Sequence, residues 1–294
     1  MAVRRRCALL IIPILVAAAE ARAQSWEGAR LIGLGDSQRA LTTGNDSIYI
    51  NPAGLALGNM YSIELGYLDD FRSADRRFNT SIVDSQAGPV AGGVAYSYSD
   101  RRPDQATANE ERLSGHRFDI ALATKVAENA ALGVTARYLT YDRAVDEQEL
   151  PDQGFSAFTV DAGLQWRVLE FLSLGAAGYN LTNSDNPELP IGWGAGAGIE
   201  LGSFTVEGDV RYNAQIGKPR FSLGSGIVLG ETVALRAGGA YDRSTESWIA
   251  SGGVGLVFDR FNLDLAYRQR LNPKGEAEDR DERVFAAAIR ITVF

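Results

Sequence analysis

From Tyr61 to the last residue the chain alternates apolar and polar side chains with period two, the spacing that puts neighbouring side chains on opposite faces of a strand. In residues 204–213, Phe204, Val206, Val210 and Tyr212 share one face with Gly208, and Thr205, Glu207, Asp209, Arg211 and Asn213 share the other. Residues 158–167 repeat the pattern, with Phe158, Val160, Ala162, Leu164 and Trp166 opposite Thr159, Asp161, Gln165 and Arg167. So do residues 261–268, where Phe261, Leu263, Leu265 and Tyr267 oppose Asn262, Asp264 and Arg268. A soluble sandwich also alternates, because its apolar faces meet a second sheet. Alternation alone does not separate a sandwich from a membrane barrel.

Strand number and loop lengths do. The pattern predicts strands over 60–68, 77–85, 89–99, 114–126, 130–141, 155–168, 171–181, 191–201, 203–213, 219–229, 231–241, 247–258, 260–269 and 283–294. That is fourteen segments, most of them near the length a tilted transmembrane strand needs. Connections after the even segments are tight, as at Gly202, Gly230 and Asp259; those after odd segments are long and polar, as at 100–112, 142–154, 182–190 and 271–282. Short turns on one side and long loops on the other mark an outer-membrane barrel, with the short turns periplasmic. Aromatic residues near the ends of the apolar faces fit interfacial girdles. The expected fold is an all-β transmembrane antiparallel β-barrel of about 14 strands, residues 59–294, preceded by a short N-terminal hatch, residues 24–58.

The first 23 residues read as a cleaved export signal: a basic start through Arg4, Arg5 and Arg6, an apolar run from Ala8 to Ala19, and Ala21-Arg22-Ala23 before the cut. The sole cysteine, Cys7, lies within it, so the remaining chain has no thiol chemistry. Of 29 basic and 37 acidic side chains, four arginines and one glutamate fall in residues 1–23, which leaves 25 against 36 and a net charge of −11. That excess argues against a nucleic-acid partner. After residue 24 no apolar run approaches the 18 residues of a transmembrane helix.

Ahead of the strands stands Ser47-Ile48-Tyr49-Ile50-Asn51-Pro52-Ala53-Gly54-Leu55-Ala56. Proline pushes the preceding Asn51 extended, Asn51 is a good N-cap, and Pro52 suits a first helical position. The stretch is therefore expected to run in extended, bend sharply and make one helical turn; read locally, it is equally an ordinary helix start in a loop. In residues 191–201, Gly192, Gly194, Gly196 and Gly198 share the face opposite Trp193 and Ile199, the expected lumen side. Such a row either makes room for a close-approaching plug or ligand or simply permits tight curvature. Gly224, Gly226, Gly253 and Gly255 add to it, and inward residues such as Ile249, Ser251 and Val257 make the lumen partly apolar.

Gly28-Ala29-Arg30-Leu31-Ile32-Gly33-Leu34-Gly35, followed by the Asn51-Pro52-Ala53-Gly54 stretch, resembles the N-terminal region of FadL-type and PorV/PorQ-type outer-membrane proteins. Leu172-Ser173-Leu174-Gly175-Ala176-Ala177-Gly178-Tyr179-Asn180-Leu181 is similar to a mid-barrel motif on the PorV side. The resemblance implies a hatch folded into the lumen, with Gly33, Gly35, Asn51, Pro52, Ala53 and Gly54 as hatch or gate residues and the row from Gly192 to Gly198 as the wall facing it. On the FadL side it implies passive uptake of fatty-acid-like or other hydrophobic small molecules. On the PorV side it implies a partner in protein secretion or surface attachment. The chain is short for either branch, so not all the elaborate outer loops of larger members fit within it.

Other chemistry is weakly signalled. The only histidine, His116, shares a strand face with Ser114, and no catalytic motif surrounds the pair. One histidine and no retained cysteine is a poor zinc set, and the acidic run from Glu276 to Glu282 lacks EF-hand spacing. Neither a cofactor nor catalysis is expected. The expected partners are outer-membrane lipid, the hydrophobic ligand and, through the terminal Phe294, the assembly machinery, although Phe294 shares parity with Arg290 and Thr292 rather than with the apolar face.

Overall fold

The computed structural model describes residues 27–71, 75–101, 111–145, 148–149, 154–182, 189–272 and 282–293 of the 294. The expected signal segment, Phe294 and most of the acidic run from Glu276 lie outside them. Strands are β1 (Tyr61–Asp70), β2 (Asp75–Asp84), β3 (Val90–Arg101), β4 (Glu111–Ala127), β5 (Ala130–Val145), the two-residue β6 (Gln148–Glu149), β7 (Phe155–Leu169) and β8 (Leu172–Tyr179). They continue with β9 (Gly192–Leu201), β10 (Phe204–Asn213), β11 (Pro219–Leu229), β12 (Val233–Asp242), β13 (Ser247–Val257), β14 (Phe261–Leu271) and β15 (Arg283–Val293).

Fourteen of these form one antiparallel sheet in chain order, and β6 is a spur on the end of β5. The sheet closes because β1 pairs with β15, from Tyr61 opposite Val293 to Asp70 opposite Val284. A closed sheet has no edge to present unpaired backbone to lipid, which is why this solution is open to strands in a bilayer. The expected fourteen-strand barrel is observed.

Period two then sorts the residues. In β4, Leu113, Arg117, Asp119, Ala121 and Ala123 point inward and are buried, while Phe118, Ile120 and Leu122 point outward and are about half exposed. An exposed apolar surface on this scale needs a lipid partner. Aromatic side chains rim it at the long-loop end through cross-strand neighbours: Tyr67 by Phe78, Tyr96 by Phe118, Tyr138 by Phe158, Trp193 by Tyr212 and Tyr241 by Trp248. Trp166, Phe171, Phe204, Phe258 and Phe261 are exposed at the short-turn end. From Trp248 to Phe258, at about 3.3 Å per residue and a tilt of about 40°, the apolar band is about 25 Å tall, as in outer-membrane barrels.

Several strand limits differ from expectation by a few residues, two of them for evident local reasons. The segment expected over 171–181 stops at Tyr179, because Asn180 turns at φ 56° with its N–H donating to the Asp161 carboxylate at 2.8 Å. The strand expected over 260–269 continues to Leu271, where Arg270 is held by Glu282 at 3.0 Å.

The core lies inside the barrel. Residues 27–60 run through the lumen with three single-turn helices, α1 (Ala29–Gly33), α2 (Ser47–Ile50) and α3 (Gly54–Leu57), and a 3₁₀ turn at Gly44–Asp46. Ile32, Ile48 and Leu55 are completely buried against Leu68, Val83 and a lining of alanines that includes Ala91, Ala95, Ala121, Ala123, Ala131 and Ala286. Small wall residues leave the space that the large luminal side chains fill, which is how an interior reaches ordinary packing density.

Candidate functional site

The bend at Asn51 is built differently from the expected one. Ser47–Ile50 is a helical turn rather than an extended run, because proline restricts only the residue immediately before it, and Asn51 alone is extended at φ −154°. Asn51 is fully buried. Its side-chain amide donates to the carbonyls of Arg39 at 2.7 Å and of Leu164 in β7 at 2.9 Å. Its Oδ1 accepts the Ala53 N–H at 3.3 Å, and its carbonyl accepts Gly54 N–H at 3.0 Å, so it caps the turn that leads into α3. One buried amide thus ties two hatch segments to the wall through its Nδ2 and caps its own turn through its Oδ1.

Pro52 sits against a window of two glycines, Gly133 in β5 and Gly163 in β7, which lie directly opposite each other across the sheet. A Cβ on Gly163 would overlap the Asn51 side chain, and one on Gly133 would overlap the Pro52–Ala53 peptide. Gly54 is equally constrained, with a Cβ position 2.6 Å from Ser47 Oγ. Asn51, Pro52, Ala53 and Gly54 therefore share one docking point. Gly33 and Gly35 do not join them. Gly33 packs on Gly253 of β13, and Gly35, at φ 67°, turns the chain beside Gly238 and Gly239 of β12.

The glycine row of β9 is divided. Gly194 and Gly198 adjoin Arg39 and Leu41 of the hatch, and Gly196 lies under the carboxylates of Asp209 and Glu207. Gly192 touches only the wall residues Tyr212 and Tyr179.

Between these regions lies a polar clasp. The Asp209 carboxylate accepts the N–H groups of Gln38 and Arg39, at 3.0 and 3.2 Å, and Arg39 Nη1 at 2.7 Å. Glu207 accepts Ala40 N–H at 2.5 Å, and Gln165 donates to the Ala40 carbonyl at 2.6 Å. Tyr179 accepts a hydrogen bond from Arg39 Nε at 2.9 Å and donates its hydroxyl to the Ile50 carbonyl at 2.7 Å. Gly175 makes room for the Arg39 carbonyl. Three positions of the Leu172–Leu181 motif thus serve hatch docking or strand termination: Gly175, Tyr179 and Asn180. The wall residues Gly133, Gly163, Gln165, Glu207 and Asp209 were not singled out as hatch partners by sequence. Their only signal was the inward parity of Gln165, Glu207 and Asp209.

Further ion pairs anchor the rest of the hatch. Arg30 pairs with Asp46 at 2.5 Å, Asp36 with Arg268 at 2.8 Å and with Arg220, and Asp46 with Arg290 at 3.8 Å. Burial pushes the carboxyls of Asp36 and Asp46 up, yet the facing guanidiniums, Arg268 and Arg220 for one and Arg30 and Arg290 for the other, hold both below the usual carboxylate range. Burial likewise opposes the charge of Arg39, and Tyr179 and Asp209 more than offset it. Burial and the neighbouring Asp119 raise Tyr49, which keeps it a neutral phenol that accepts from Asn79 at 2.7 Å.

A cavity of about 150 Å³ opens at the long-loop end, above the hatch, lined mainly by charged side chains, with Leu68, Ile216 and Val284 as its apolar patches. Among the described residues, its lining does not include Pro52. The partly apolar lumen expected from sequence is covered by the hatch, and the cavity above it is mainly polar. The strand ladders around the hatch run without interruption, their two bulges at Lys125/Ala127 and Arg167/Leu169 at the short-turn rim. Ser114 and His116 face outward, with His116 Nδ1 2.7 Å from the Tyr96 hydroxyl. Among the described residues no group of three or more His, Cys, Asp or Glu side chains is placed to hold a metal.

No protein-family model matches the chain, and no curated protein matches it by sequence. Solved structures do match. The toluene transporter TbuX of Ralstonia pickettii superposes with a TM-score of 0.70 at 12% identity, over 93% of this chain and 100% of that one. The Pseudomonas putida toluene transporter TodX gives 0.69 at 13% identity, over 91% and 98%. A FadL homologue from Pseudomonas aeruginosa gives 0.64 at 12%, over 90% and 96%. The fold is that of a FadL-type barrel. At these identities the FadL-type likeness describes architecture, and the chemistry has to come from this chain's own residues.

Proposed function

We propose that the protein is a passive outer-membrane channel for hydrophobic small molecules, and that residues 24–58 form its hatch inside a barrel of residues 59–294. The observation that carries this reading is the docking of Asn51-Pro52-Ala53 onto the Gly133–Gly163 window, in a barrel with the fold of toluene transporters. On this reading Asn51, Pro52, Ala53 and Gly54 are the gate contact, Gly33 and Gly35 the second foothold, and Gly194 and Gly198 the wall the hatch slides against. Export through a cleaved segment at residues 1–23, recognition of the last strand with Phe294 by the assembly machinery, and the absence of catalysis belong to the same proposal. The structures it resembles are described as transporters, which favours transport over a secretion-partner role.

The test is removal of the hatch. Deleting residues 27–57 should turn a closed barrel into one with steady conductance in planar bilayers, and should raise toluene entry into proteoliposomes. A deletion variant that folds and stays sealed would overturn the hatch assignment.

A further inference from the structure

The open cavity at the outer mouth carries more positive charge than its own carboxylates engage. Its acidic residues are all engaged: Asp75 with Arg77 at 2.5 Å, Glu27 with Arg268 at 2.8 Å, Asp242 with Arg270 at 3.6 Å, and Glu282 with Arg268 and Arg270 at 2.6 and 3.0 Å. Asp70 accepts the Arg283 N–H at 3.2 Å. Two cations lining the same space, Arg211 and Lys218, have no hydrogen-bond or ion-pair partner among the described residues. Both flank the β10–β11 turn. That turn is fixed, because Asn213 Oδ1 accepts the N–H groups of Gln215 and Ile216 at 2.9 and 3.2 Å and Gly217 takes φ 68°.

Arg211 is half-buried, with the Tyr179 ring centroid 5.8 Å from its guanidinium carbon and Arg220 directly opposite it across the β10–β11 pair. Among the described residues all five of its donors are unspent, which leaves the whole fork for an acceptor in the cavity. Its planar fork matches an oxyanion with two coplanar oxygens. The cavity is small against the ~300–1,000 Å³ of drug-sized ligand sites, which limits the ligand to a single ring or a short chain. Leu68, Ile216 and Val284 give that body an apolar surface to lie on.

We propose that the outer cavity binds a compact organic carboxylate, its carboxyl group held by Arg211 with Lys218 beside it. This rests on the reading of the barrel as a channel for small molecules and narrows what its outer mouth accepts. Arg211 also shares the Tyr179 ring with Arg39, whose guanidinium carbon is 5.7 Å from the same centroid, so the bound carboxylate sits one side chain away from the hatch clasp.

Benzoate is the probe, titrated calorimetrically into the purified full barrel in detergent micelles at neutral pH. Saturable binding is expected in the wild type, weakened at least tenfold in Arg211→Gln and severalfold in Lys218→Gln, and unchanged in Lys125→Gln at the opposite rim. Neutral benzamide should bind at least tenfold more weakly than benzoate. Folding of each variant is checked by heat-modifiable gel migration; if Arg211→Gln does not fold, Lys218→Gln and the benzamide comparison decide. Absent benzoate binding, equal binding of benzamide, equal affinity in the variants, or displacement by equimolar inorganic phosphate would each overturn the carboxylate site. Toluene entry into proteoliposomes is measured on the same preparations. Entry without benzoate binding removes only this site, whereas benzoate binding without toluene entry removes the channel reading.

Discussion

The two walls that grip the hatch do so by different physics. On the side of β3, β4 and β5, luminal Ile48, Tyr49 and Leu55 press into alanines, and the contact is chiefly burial of apolar surface, with Thr135 donating to the Ile48 carbonyl at 3.0 Å and Arg117 over the Tyr49 ring. On the side of β7 to β13, glycines let the hatch backbone approach the wall, and buried carboxylates and arginines seize it through named atoms. Burial is non-directional and weakens in proportion to the area lost. A buried charged clasp is all or nothing, because breaking one partner strands the other. The alanine wall therefore supplies adhesion, and the glycine wall supplies position.

Three tests separate these roles. The largest effect is expected from Gly163→Val, whose side chain would occupy the place of the Asn51 amide. Its conductance should approach that of the hatch deletion, and a sealed G163V barrel would show that the window is not where the hatch is held. Next comes a matched pair, read as the opening free energy of residues 29–57 by hydrogen exchange. Arg39→Ala should cost about 3–5 kcal/mol, the range for breaking a buried ion pair, and Ile48→Val only about 0.5–1.5 kcal/mol, as for one buried methyl. Similar values for the two would erase the distinction between the walls. The smallest effect is acid sensitivity. Asp36 has a folded-state pKa below its unfolded one, so its contribution is complete above about pH 3.9 and is lost as the pH falls through the lower, folded value. Exchange protection of the 29–37 turn should accordingly stay level from pH 7 to about pH 4. Loss of protection beginning near pH 6 would mean that some other group secures this turn.

Strands, inward and outward faces and the loop asymmetry were legible because each depends on a spacing of two residues or on a segment length. The exceptions are instructive. Tyr179 ends β8 early because of a hydrogen bond between Asn180 and Asp161, two residues no periodicity connects. Ser47–Ile50 coils because its side chains are buried by walls far away in the chain. The docking partners were hidden for the same reason: Asn51 meets Leu164, and Arg39 meets Asp209, only once the barrel has closed. Gly133 and Gly163 look like ordinary strand glycines until their cross-strand pairing sets them side by side. Arg39 sits in a stretch, Ser37-Gln38-Arg39-Ala40, that carries no motif at all.

The seam between β1 and β15 joins the first strand of the sheet to the last. Such a cylinder cannot be sealed before β15 has been made. The residues ahead of β1 must bridge walls that come together only at that final step, with α1 against β13 and β14 and α3 against β4 and β5. The interior segment thus spans the closed cylinder from one wall to the other, and its contacts exist in full only when β1 has met β15.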